Sequence, residues 1–417
     1  MKLIEISIKN FKSLRDVTFH PRNFSILIGP NGAGKSNFAN SLRFLSETYR
    51  LGLVDSVKRF GGFENIINRR RETGTPLEFT IKVAFNWGGF ASSDELKTES
   101  RQVVFSHSFA INSDHKNSGF GVESETLSIK ICNSESGQIT DKDELVQIFE
   151  LKRDRDGNII ANGNRQLLFD YREVFPGLRF SLDTSVTNQN LIPKSSLAIH
   201  DPLIGNSVLR KIRDSLSYFG IYSFSRLTDL EETLPSLVKN TNPDVWQEIL
   251  FTMQEICPGL SDIVVKSTEE RREILHFLEE GLNEPLIASD MSDGTILALA
   301  SLCSAGGASS DGWSGLFLLE ELENSLHPWA LRLVLDRIRH FASKEKTVII
   351  TTHSPLLIDR VRPEEVFTIS KMKGETRINS LVEIVPDLQD GWESGDFKTS
   401  DYLDSGLIPQ AVPGITV

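Results

Sequence analysis

Two short stretches contain residue types that could handle phosphate and a divalent cation. The first is GPNGAGKS, Gly29–Ser36, and the second is LFLLEELENSLHP, residues 316–328. The second stretch places two adjacent glutamates, Glu320 and Glu321, directly after an apolar run, with a third acid at Glu323. Paired carboxylates at such a point can form a solvated acidic turn, or they can handle a metal ion and a water molecule. The pair alone does not decide between these two interpretations.

The glycine-rich stretch fits the pattern G-x-x-x-x-G-K-[ST] in the strand–loop–helix context that the pattern requires. The apolar run Phe24–Ile28 precedes it, and a helical pattern follows over residues 37–45. Glycines let the backbone curl so that its N–H groups point at phosphate oxygens, and the helix N-terminus adds its positive end. Lys35 supplies a charge to the β- and γ-phosphates, and Ser36 offers a hydroxyl ligand to Mg²⁺. The predicted nucleotide-binding residues of this loop are Asn31, Gly32, Ala33, Gly34, Lys35, Ser36 and Asn37.

The segment IKNFKSLRDVTF, followed by NFSILIGPNGAGKSN, resembles the N-terminus of ABC-type ATPases of the RecF/SMC/OLD group. Within that group, the segment resembles the stand-alone AAA-family ATPases. Proteins of the group build one nucleotide-binding head from an N-terminal and a C-terminal half. The resemblance implies an α/β fold of the ABC-type P-loop NTPase head, with a mixed β sheet and a parallel core sheet flanked by helices. It also implies that the remaining motifs lie near the other end of the chain.

The stretch SDMSDGTILALA, residues 289–300, resembles the ABC signature motif of that group. Ser292 and Gly294 stand at the start of a helical pattern, although S-D-G is also typical of a helix N-cap. Asp293 occupies a position where many relatives have glycine, and no glutamine follows. In the family this element contacts the γ-phosphate that is bound by a second subunit.

The resemblance assigns different roles to the two adjacent glutamates. Residues 316–319 read as a buried parallel strand. Glu320 corresponds to the aspartate that holds Mg²⁺, and Glu321 corresponds to the general base that orients the attacking water. A second buried strand, residues 347–351, leads to His353, which corresponds to the switch histidine that contacts the γ-phosphate. The loop LENSLHP resembles the one that crosses the dimer interface in relatives, and we assign its His327 a structural or interface role.

The chain is predicted to have four regions. Residues 1–85 form the N-terminal half of the head, 86–285 an inserted lobe, 286–375 the C-terminal half of the head, and 376–417 a tail. Alternating segments run from LEFTIKVAF, which ends at the boundary of the inserted lobe, through RQVVFSHSFAI and ETLSIKI, and the helical segments SVLRKIRDSLSYF and DVWQEILFTMQEI follow. DRDGN, residues 154–158, has the wrong spacing for a calcium loop and favours a hairpin turn. No sustained heptad repeat is present, which argues against long coiled-coil arms.

Composition limits the class of protein. The 417 residues include 39% hydrophobic residues, with a formal net charge of −12. That charge argues against nonspecific nucleic-acid binding, and the basic cluster Arg69–Arg71 favours a solvated turn. The sequence lacks an apolar run of 18 residues, so we expect no membrane span. Three distant cysteines without a CxxC pair favour a reducing cytoplasm over a disulfide framework or a zinc site.

Together these motifs predict an ATP-binding and ATP-hydrolysing molecular switch that uses ATP and Mg²⁺. By resemblance, two copies close around ATP as a homodimer or a higher homo-oligomer with shared sites, and a separate effector protein is controlled, as in bacterial anti-phage defence or toxin–antitoxin systems. The alternatives are a RecF-like DNA-repair ATPase that binds DNA, a non-hydrolysing assembly scaffold, and the ATPase subunit of a transporter. The β-rich insertion and the lack of an LSGGQ-type signature argue against the transporter.

Overall fold

A computed structural model describes residues 1–91, 98–114, 119–132, 145–163, 193, 195–200, 207–217, 219–223, 227–267, 272–307, 315–323, 326–342, 346–395 and 398–404. The chain divides into two units, each assembled from several stretches of sequence. The first unit comprises Met1–His20, Asn40–Phe219 and Lys371–Ile378, and the second comprises Pro21–Ala39, Gly220–Ser370 and Asn379–Val417. All the predicted site residues fall within the second unit.

The strands of the described residues form three sheets. They are β1 Lys2–Phe11, β2 Leu14–Phe19, β3 Phe24–Ile28, β4 Leu77–Ala91, β5 Thr98–Asp114, β6 Gly119–Cys132, β7 Leu145–Arg153, β8 Ile159–Gly163, β9 Gly220–Ser223, β10 Leu260–Ser267, β11 Glu273–Glu279, β12 Leu286–Ile287, β13 Leu316–Glu320, β14 Thr347–Thr352, β15 Val366–Met372 and β16 Glu375–Ser380.

The α-helices of the described residues are α1 Lys35–Leu51, α2 Leu53–Arg59, α3 Phe63–Ile66, α4 Ser207–Ser217, α5 Leu227–Lys239, α6 Pro243–Ile256, α7 Asp293–Gly306, α8 Pro328–Ala342, α9 Pro355–Ile358, α10 Leu381–Ile384, α11 Leu388–Ser394 and α12 Thr399–Asp404. Short 3₁₀ turns cover Ala198–His200, Ala288–Asp290 and Pro363–Glu365. Among the described residues, the longest helix is α1, with 17 residues. None of the described helices is long and apolar enough to cross a membrane.

A seven-stranded antiparallel sheet forms the centre of the first unit, in the order β2-β1-β4-β5-β6-β7-β8. Its strands alternate in burial, as in β1, where Ile6 and Ile8 are fully buried while Ser7 and Lys9 are partly accessible. Such alternation is typical of an antiparallel sheet with one face on the core. The strands predicted from LEFTIKVAF, RQVVFSHSFAI and ETLSIKI are therefore confirmed, as are the two predicted helices, now α4 and α6.

The stretch DRDGN forms the hairpin turn between β7 and β8, as predicted. The Asp154 carboxylate accepts hydrogen bonds from the N–H groups of Asp156 and Asn158, each at 2.9 Å. Gly157 takes a φ of 87°, a backbone conformation that glycine adopts without strain. The hydrogen bonds lower the pKa of Asp154, led by the one from the Asn158 side chain. The carboxylate is thus used within the turn.

A buried polar network holds the C-terminal half of α1 in the first unit. The Tyr49 hydroxyl lies 2.9 Å from His107 Nδ1, and His107 Nε2 lies 3.1 Å from Glu125 Oε1. Since a carboxylate accepts hydrogen bonds, His107 Nε2 carries the proton and Nδ1 accepts from Tyr49. The Ala198 N–H donates to Glu125 Oε1 at 2.9 Å and to Glu125 Oε2 at 2.8 Å. A guanidinium nitrogen of Arg153 lies 3.9 Å from Glu125 Oε2. Burial raises the pKa of Tyr49 well above its ordinary value, helped by Glu125.

The six-stranded sheet has the order β16-β15-β3-β14-β13-β9. Its inner pairs, from β15 to β9, are parallel. All residues of β3 and β14 are buried, and such continuous apolar runs are typical of parallel strands covered on both faces. Strand bounds predicted from the sequence agree with β3, β13 and β14 to within one residue. A smaller sheet, β10-β11-β12, also belongs to the second unit. The predicted α/β fold, with a mixed sheet and a parallel core sheet, is confirmed.

Three parallel strands end at one edge of this sheet. Ile28 at the end of β3 lies opposite Thr352 of β14, and Thr351 lies opposite Glu320 of β13. Loops that follow parallel strands converge outside their carboxyl ends, where α/β folds normally bind ligands. The glycine-rich loop, the loop that begins at Glu321 and the loop that begins at His353 therefore meet at this edge.

Candidate functional site

The glycine-rich loop joins β3 to α1 and has the curled backbone that its composition predicts. Gly32 and Gly34 have φ angles of 77° and 118°, which other residues adopt only with strain. The N–H of Ala33 donates to the carbonyl of Pro30 at 3.2 Å, which closes the turn. Asn31 and Gly32 are exposed at the tip. The exposed backbone of the loop is thus available to a ligand.

Gly29 is required for a different reason, which is close packing. A Cβ added at this position would lie 2.0 Å from the carbonyl oxygen of Ile369 in β15. Real Cβ atoms do not approach backbone oxygens so closely, so any larger residue would push the start of the loop away from β15. The first glycine of the pattern therefore fixes where the loop leaves the sheet.

Lys35 points into the loop that it follows. Its Nζ donates to the carbonyls of Gly29 at 2.7 Å and Pro30 at 3.2 Å, and the side chain is buried. Burial lowers the pKa of Lys35 to about 8, and the carboxylates of Glu321 and Glu323 oppose that shift. The ammonium is therefore held where an anion in the loop would meet it. Ser36 is exposed beside it at the start of α1, and Asn37 is half-buried.

The two adjacent glutamates occupy different backbone environments. Glu320 is the last residue of β13 and pairs with Thr351 of β14 in the parallel ladder. Glu321 leaves the strand with a φ of 52°, the left-handed region, while its N–H donates to the Thr351 carbonyl at 2.8 Å. Such a backbone costs about 1–2 kcal/mol for a residue with a Cβ, and it is typical of functional positions. The Glu321 side chain is exposed, so a substrate or a water molecule can reach it.

His353 follows β14 and is held by Glu323. The N–H of His353 donates to Glu323 Oε1 at 2.7 Å. Burial and the Lys35 ammonium lower the pKa of His353, while the carboxylates of Glu323 and Glu321 oppose these effects. The structure thus brings Lys35, Glu321, Glu323 and His353 into one electrostatic group. Glu323 was noted in the sequence without a role, and its position two residues after Glu321 was the available signal.

The predicted signature residues lie at the start of α7. Ser292 is the N-cap of this helix: its Oγ accepts from the Thr295 N–H at 3.2 Å and lies 2.8 Å from the Thr295 hydroxyl. Ser292 is exposed and Gly294 is half-buried, whereas the helix is buried from Thr295 onward. The N-cap interpretation is therefore confirmed, and the role towards a second subunit stays a prediction.

His327 stands in the loop before α8 and is exposed. Its Nδ1 accepts a hydrogen bond from the Trp329 N–H at 3.3 Å, so it helps to satisfy the first turn of the helix. This agrees with the structural role that we assigned to His327 from the sequence.

Two family models match the sequence. The model "AAA ATPase domain" matches residues 1–174, which contain the glycine-rich loop. The model "AAA domain, putative AbiEii toxin, Type IV TA system" matches residues 252–359, which contain Ser292, Glu320, Glu321 and His353. Both regions are thus similar to AAA-type ATPase domains, and together they carry every predicted site residue.

Solved structures of Smc heads are similar to the chain. An SmcHead bound to the C-winged helix domain of ScpA is 13% identical, covering 91% of this chain and 98% of that one, with a TM-score of 0.49. The SMC head domain from Thermotoga maritima is 14% identical, covering 91% and 99%, with a TM-score of 0.38. A Smc head domain with an extended coiled coil bound to the C-terminal domain of ScpA, derived from Pyrococcus furiosus, is 16% identical, covering 93% and 99%, with a TM-score of 0.41. No curated protein sequence matches the chain.

The residues of the ATPase head fit a nucleotide with Mg²⁺. In the part of the chain that the structure describes, no three His, Cys, Asp or Glu side chains are grouped to hold a metal ion by themselves. Mg²⁺ needs no such group, because it is usually bound by one or two protein ligands together with substrate phosphates. The Ser36 hydroxyl and the Glu320 carboxylate are oxygen ligands of that kind, and the Lys35 ammonium suits the phosphates.

Proposed function

We propose that the chain binds ATP with Mg²⁺ in the glycine-rich loop and hydrolyses it. The observation that carries this proposal is the position of Lys35. Its ammonium lies inside the loop, in the electrostatic field of the exposed Glu321 and of His353, which follow two neighbouring parallel strands. A lysine in a glycine-rich loop and a carboxylate that can orient a water molecule are recurring parts of phosphoryl-transfer sites, and the imidazole adds a group that can contact the phosphate.

Each residue has a definite task in this proposal. Backbone N–H groups of residues 31–37 and the Lys35 ammonium bind the phosphates, and Ser36 and Glu320 hold Mg²⁺. The bound ion neutralises phosphate charge and orients the phosphoryl group. Glu321 orients the attacking water as general base, and His353 contacts the γ-phosphate. The extra methylene of Glu320, compared with the aspartate of relatives, is compatible with a water-mediated contact to the ion.

We further propose that the site is completed by a second copy of the chain. Ser292 and Gly294 stand at the N-terminus of α7, a helix of 14 residues. Helix N-termini favour phosphate because their N–H groups and dipole point at it. By their resemblance to the ABC signature motif, Ser292 and Gly294 would contact the γ-phosphate held by another subunit in a homodimer or higher homo-oligomer.

In the cell, we propose a cytoplasmic switch that uses this ATP-dependent closure to control a separate effector protein in bacterial anti-phage defence. The match of residues 252–359 to a family described as a putative AbiEii toxin of a type IV toxin–antitoxin system supports a role of this kind. Co-purification of the chain with its genomic neighbours from the native host would identify the effector. Stimulation of hydrolysis by duplex DNA would instead favour a RecF-like repair ATPase.

Phosphate release from ATP tests the proposed hydrolysis. We expect the wild type to release phosphate only with Mg²⁺, and Glu321→Gln to lose about 10²-fold or more of kcat while it still binds ATP. Glu364→Gln is the matched control, because it makes the same change at an exposed glutamate that pairs with Arg362. A wild type that binds ATP and assembles without any phosphate release would contradict the enzyme and favour the scaffold.

A further inference from the structure

Hydrogen bonds tie the loop after β13 to the loop after β14. The N–H of Glu321 donates to the Thr351 carbonyl at 2.8 Å, and the N–H of His353 donates to Glu323 Oε1 at 2.7 Å. Between the two glutamates, Leu322 is fully buried and anchors the loop in the core of the second unit. The position of His353 relative to Glu321 therefore depends on the side chain of Glu323.

The second oxygen of Glu323 indicates that its charge is also used. Glu323 Oε2 is buried and has no hydrogen-bond partner among the described residues. Leaving a buried carboxylate oxygen unpaired is unfavourable, so a residue needed only to hold one amide would be better neutral. The carboxylate lies against His353, whose backbone N–H it accepts at 2.7 Å, and it raises the pKa of His353 against the lowering by burial and by Lys35.

We infer that Glu323 is a positioning residue of the ATPase site: it holds His353 in place through the backbone amide, and its carboxylate charge acts on the same residue. This inference rests on the proposed hydrolysis of ATP. Glu323 acts through His353, and the γ-phosphate contact belongs to His353.

Substituting Glu323 by glutamine or by alanine separates its hydrogen bond to His353 from its charge. Glutamine keeps an oxygen that can accept the His353 N–H but removes the charge, whereas alanine removes both. We expect Glu323→Ala to lower kcat by about 10²-fold, because a small misplacement of a group at the reacting centre has effects of that size. KM for ATP should stay within about threefold, since the phosphate loop is unchanged. Glu323→Gln should recover most of the lost kcat at pH 7.

The matched control is Glu365→Ala. Glu365 also accepts from a backbone amide, that of Arg362 at 3.0 Å, and it pairs with Arg339 at 2.7 Å in the same unit. Loss of kcat in both variants would indicate a general structural effect and would overturn the inference. Equal losses in Glu323→Ala and Glu323→Gln would also overturn it, because the retained acceptor would then be irrelevant.

Adding Glu323→Ala to His353→Ala tests whether Glu323 acts through His353. If it does, the double variant is within about threefold of His353→Ala, because the side chain to be positioned is already absent. Losses in kcat that multiply would show that Glu323 works independently of His353.

The decisive readout that does not need activity is the NMR titration of the His353 imidazole. Glu323→Gln removes a negative charge, so the pKa of His353 should fall below its wild-type value, while Glu365→Gln leaves it unchanged. This measurement also applies if Glu323→Ala does not fold. An unshifted pKa in Glu323→Gln would overturn the electrostatic part of the inference. If Glu323→Gln lowers the pKa of His353 but the wild type releases no phosphate, the proposed function is contradicted and the inference about Glu323 is not.

Discussion

Each unit of the chain groups ionisable side chains around a carboxylate, and the two carboxylates differ in how their oxygens are satisfied. In the first unit, Glu125 is 1% exposed, and both of its oxygens accept hydrogen bonds from the Ala198 N–H. In the second unit, Glu323 accepts from the His353 N–H through one oxygen, and its other oxygen has no partner among the described residues.

This difference separates a group that stabilises the fold from a group that is available for chemistry. The hydrogen-bonded buried network around Glu125 fixes the elements that carry it, here α1, β5, β6 and the turn at Ala198–His200. A buried lysine with a lowered pKa, a strained glutamate backbone and an unpaired carboxylate oxygen all cost stability. We propose that they persist at the edge of the parallel sheet because bound ATP uses them there.

The largest expected effect is on the stability of the first unit. Glu125→Ala leaves His107 Nε2 and the Ala198 N–H without their acceptor and removes the carboxylate that faces the buried Arg153, so we expect a loss of about 3–5 kcal/mol in the free energy of unfolding. Urea denaturation measures it. Glu123→Ala on the same strand should cost well under about 1 kcal/mol, because its ion pair at 3.6 Å is with the exposed Arg155. A similar loss of unfolding free energy in Glu125→Ala and Glu123→Ala would show that the buried network does not stabilise the first unit more than a surface ion pair does.

Lys35→Met should weaken ATP binding without lowering the stability of the protein. Methionine has a similar length and no charge to bury, so the melting temperature should stay the same or rise. Removing the phosphate-binding charge should weaken ATP binding by about 10²-fold, since charge-assisted hydrogen bonds are among the strongest. Calorimetric titration with ATP measures this, and Glu364→Gln serves as a control. Strong destabilisation with unchanged ATP affinity would show that Lys35 is structural.

A smaller effect is expected from pH. The pKa of Lys35 in the free protein is about 8, so its ammonium loses its proton as the pH rises through that value. The neutral amine attracts phosphate poorly, and kcat/KM for ATP should fall by up to about tenfold per pH unit above it. In Glu323→Gln the decline should begin at a lower pH, because one of the carboxylates that raise this pKa is gone. An unchanged midpoint would contradict the proximity of the two charges.

Much of the second unit could be predicted from the sequence because its chemistry is local. Strand, glycine loop and helix follow each other within about 30 residues, and Glu320, Glu321 and His353 come directly after apolar strands. The task of Glu323 could not be predicted, because it depends on a hydrogen bond to a residue 30 positions away. Nor could the Tyr49–His107–Glu125 network, whose members lie on three separate elements with no characteristic spacing.

The positive φ of Glu321 could not be predicted from the sequence either, since glutamate rarely adopts such an angle and no glycine or asparagine marks the position. The role of Ser292 towards a second copy depends on association, which the fold of one chain does not determine. Its N-cap position, in contrast, follows from local helix chemistry and was one of the two interpretations that the sequence offered.

Single-turnover hydrolysis with protein in excess of ATP tests the central claim most directly. Under these conditions product release and effector binding do not limit the signal, so only binding and chemistry are measured. We predict that the wild type converts the bound ATP to ADP and phosphate, that Glu321→Gln retains it as ATP, and that Lys35→Met binds it about 10²-fold more weakly. Conversion at the wild-type rate by Glu321→Gln would contradict the assignment of the base. Failure of the wild type to convert bound ATP at all would contradict the proposed hydrolysis.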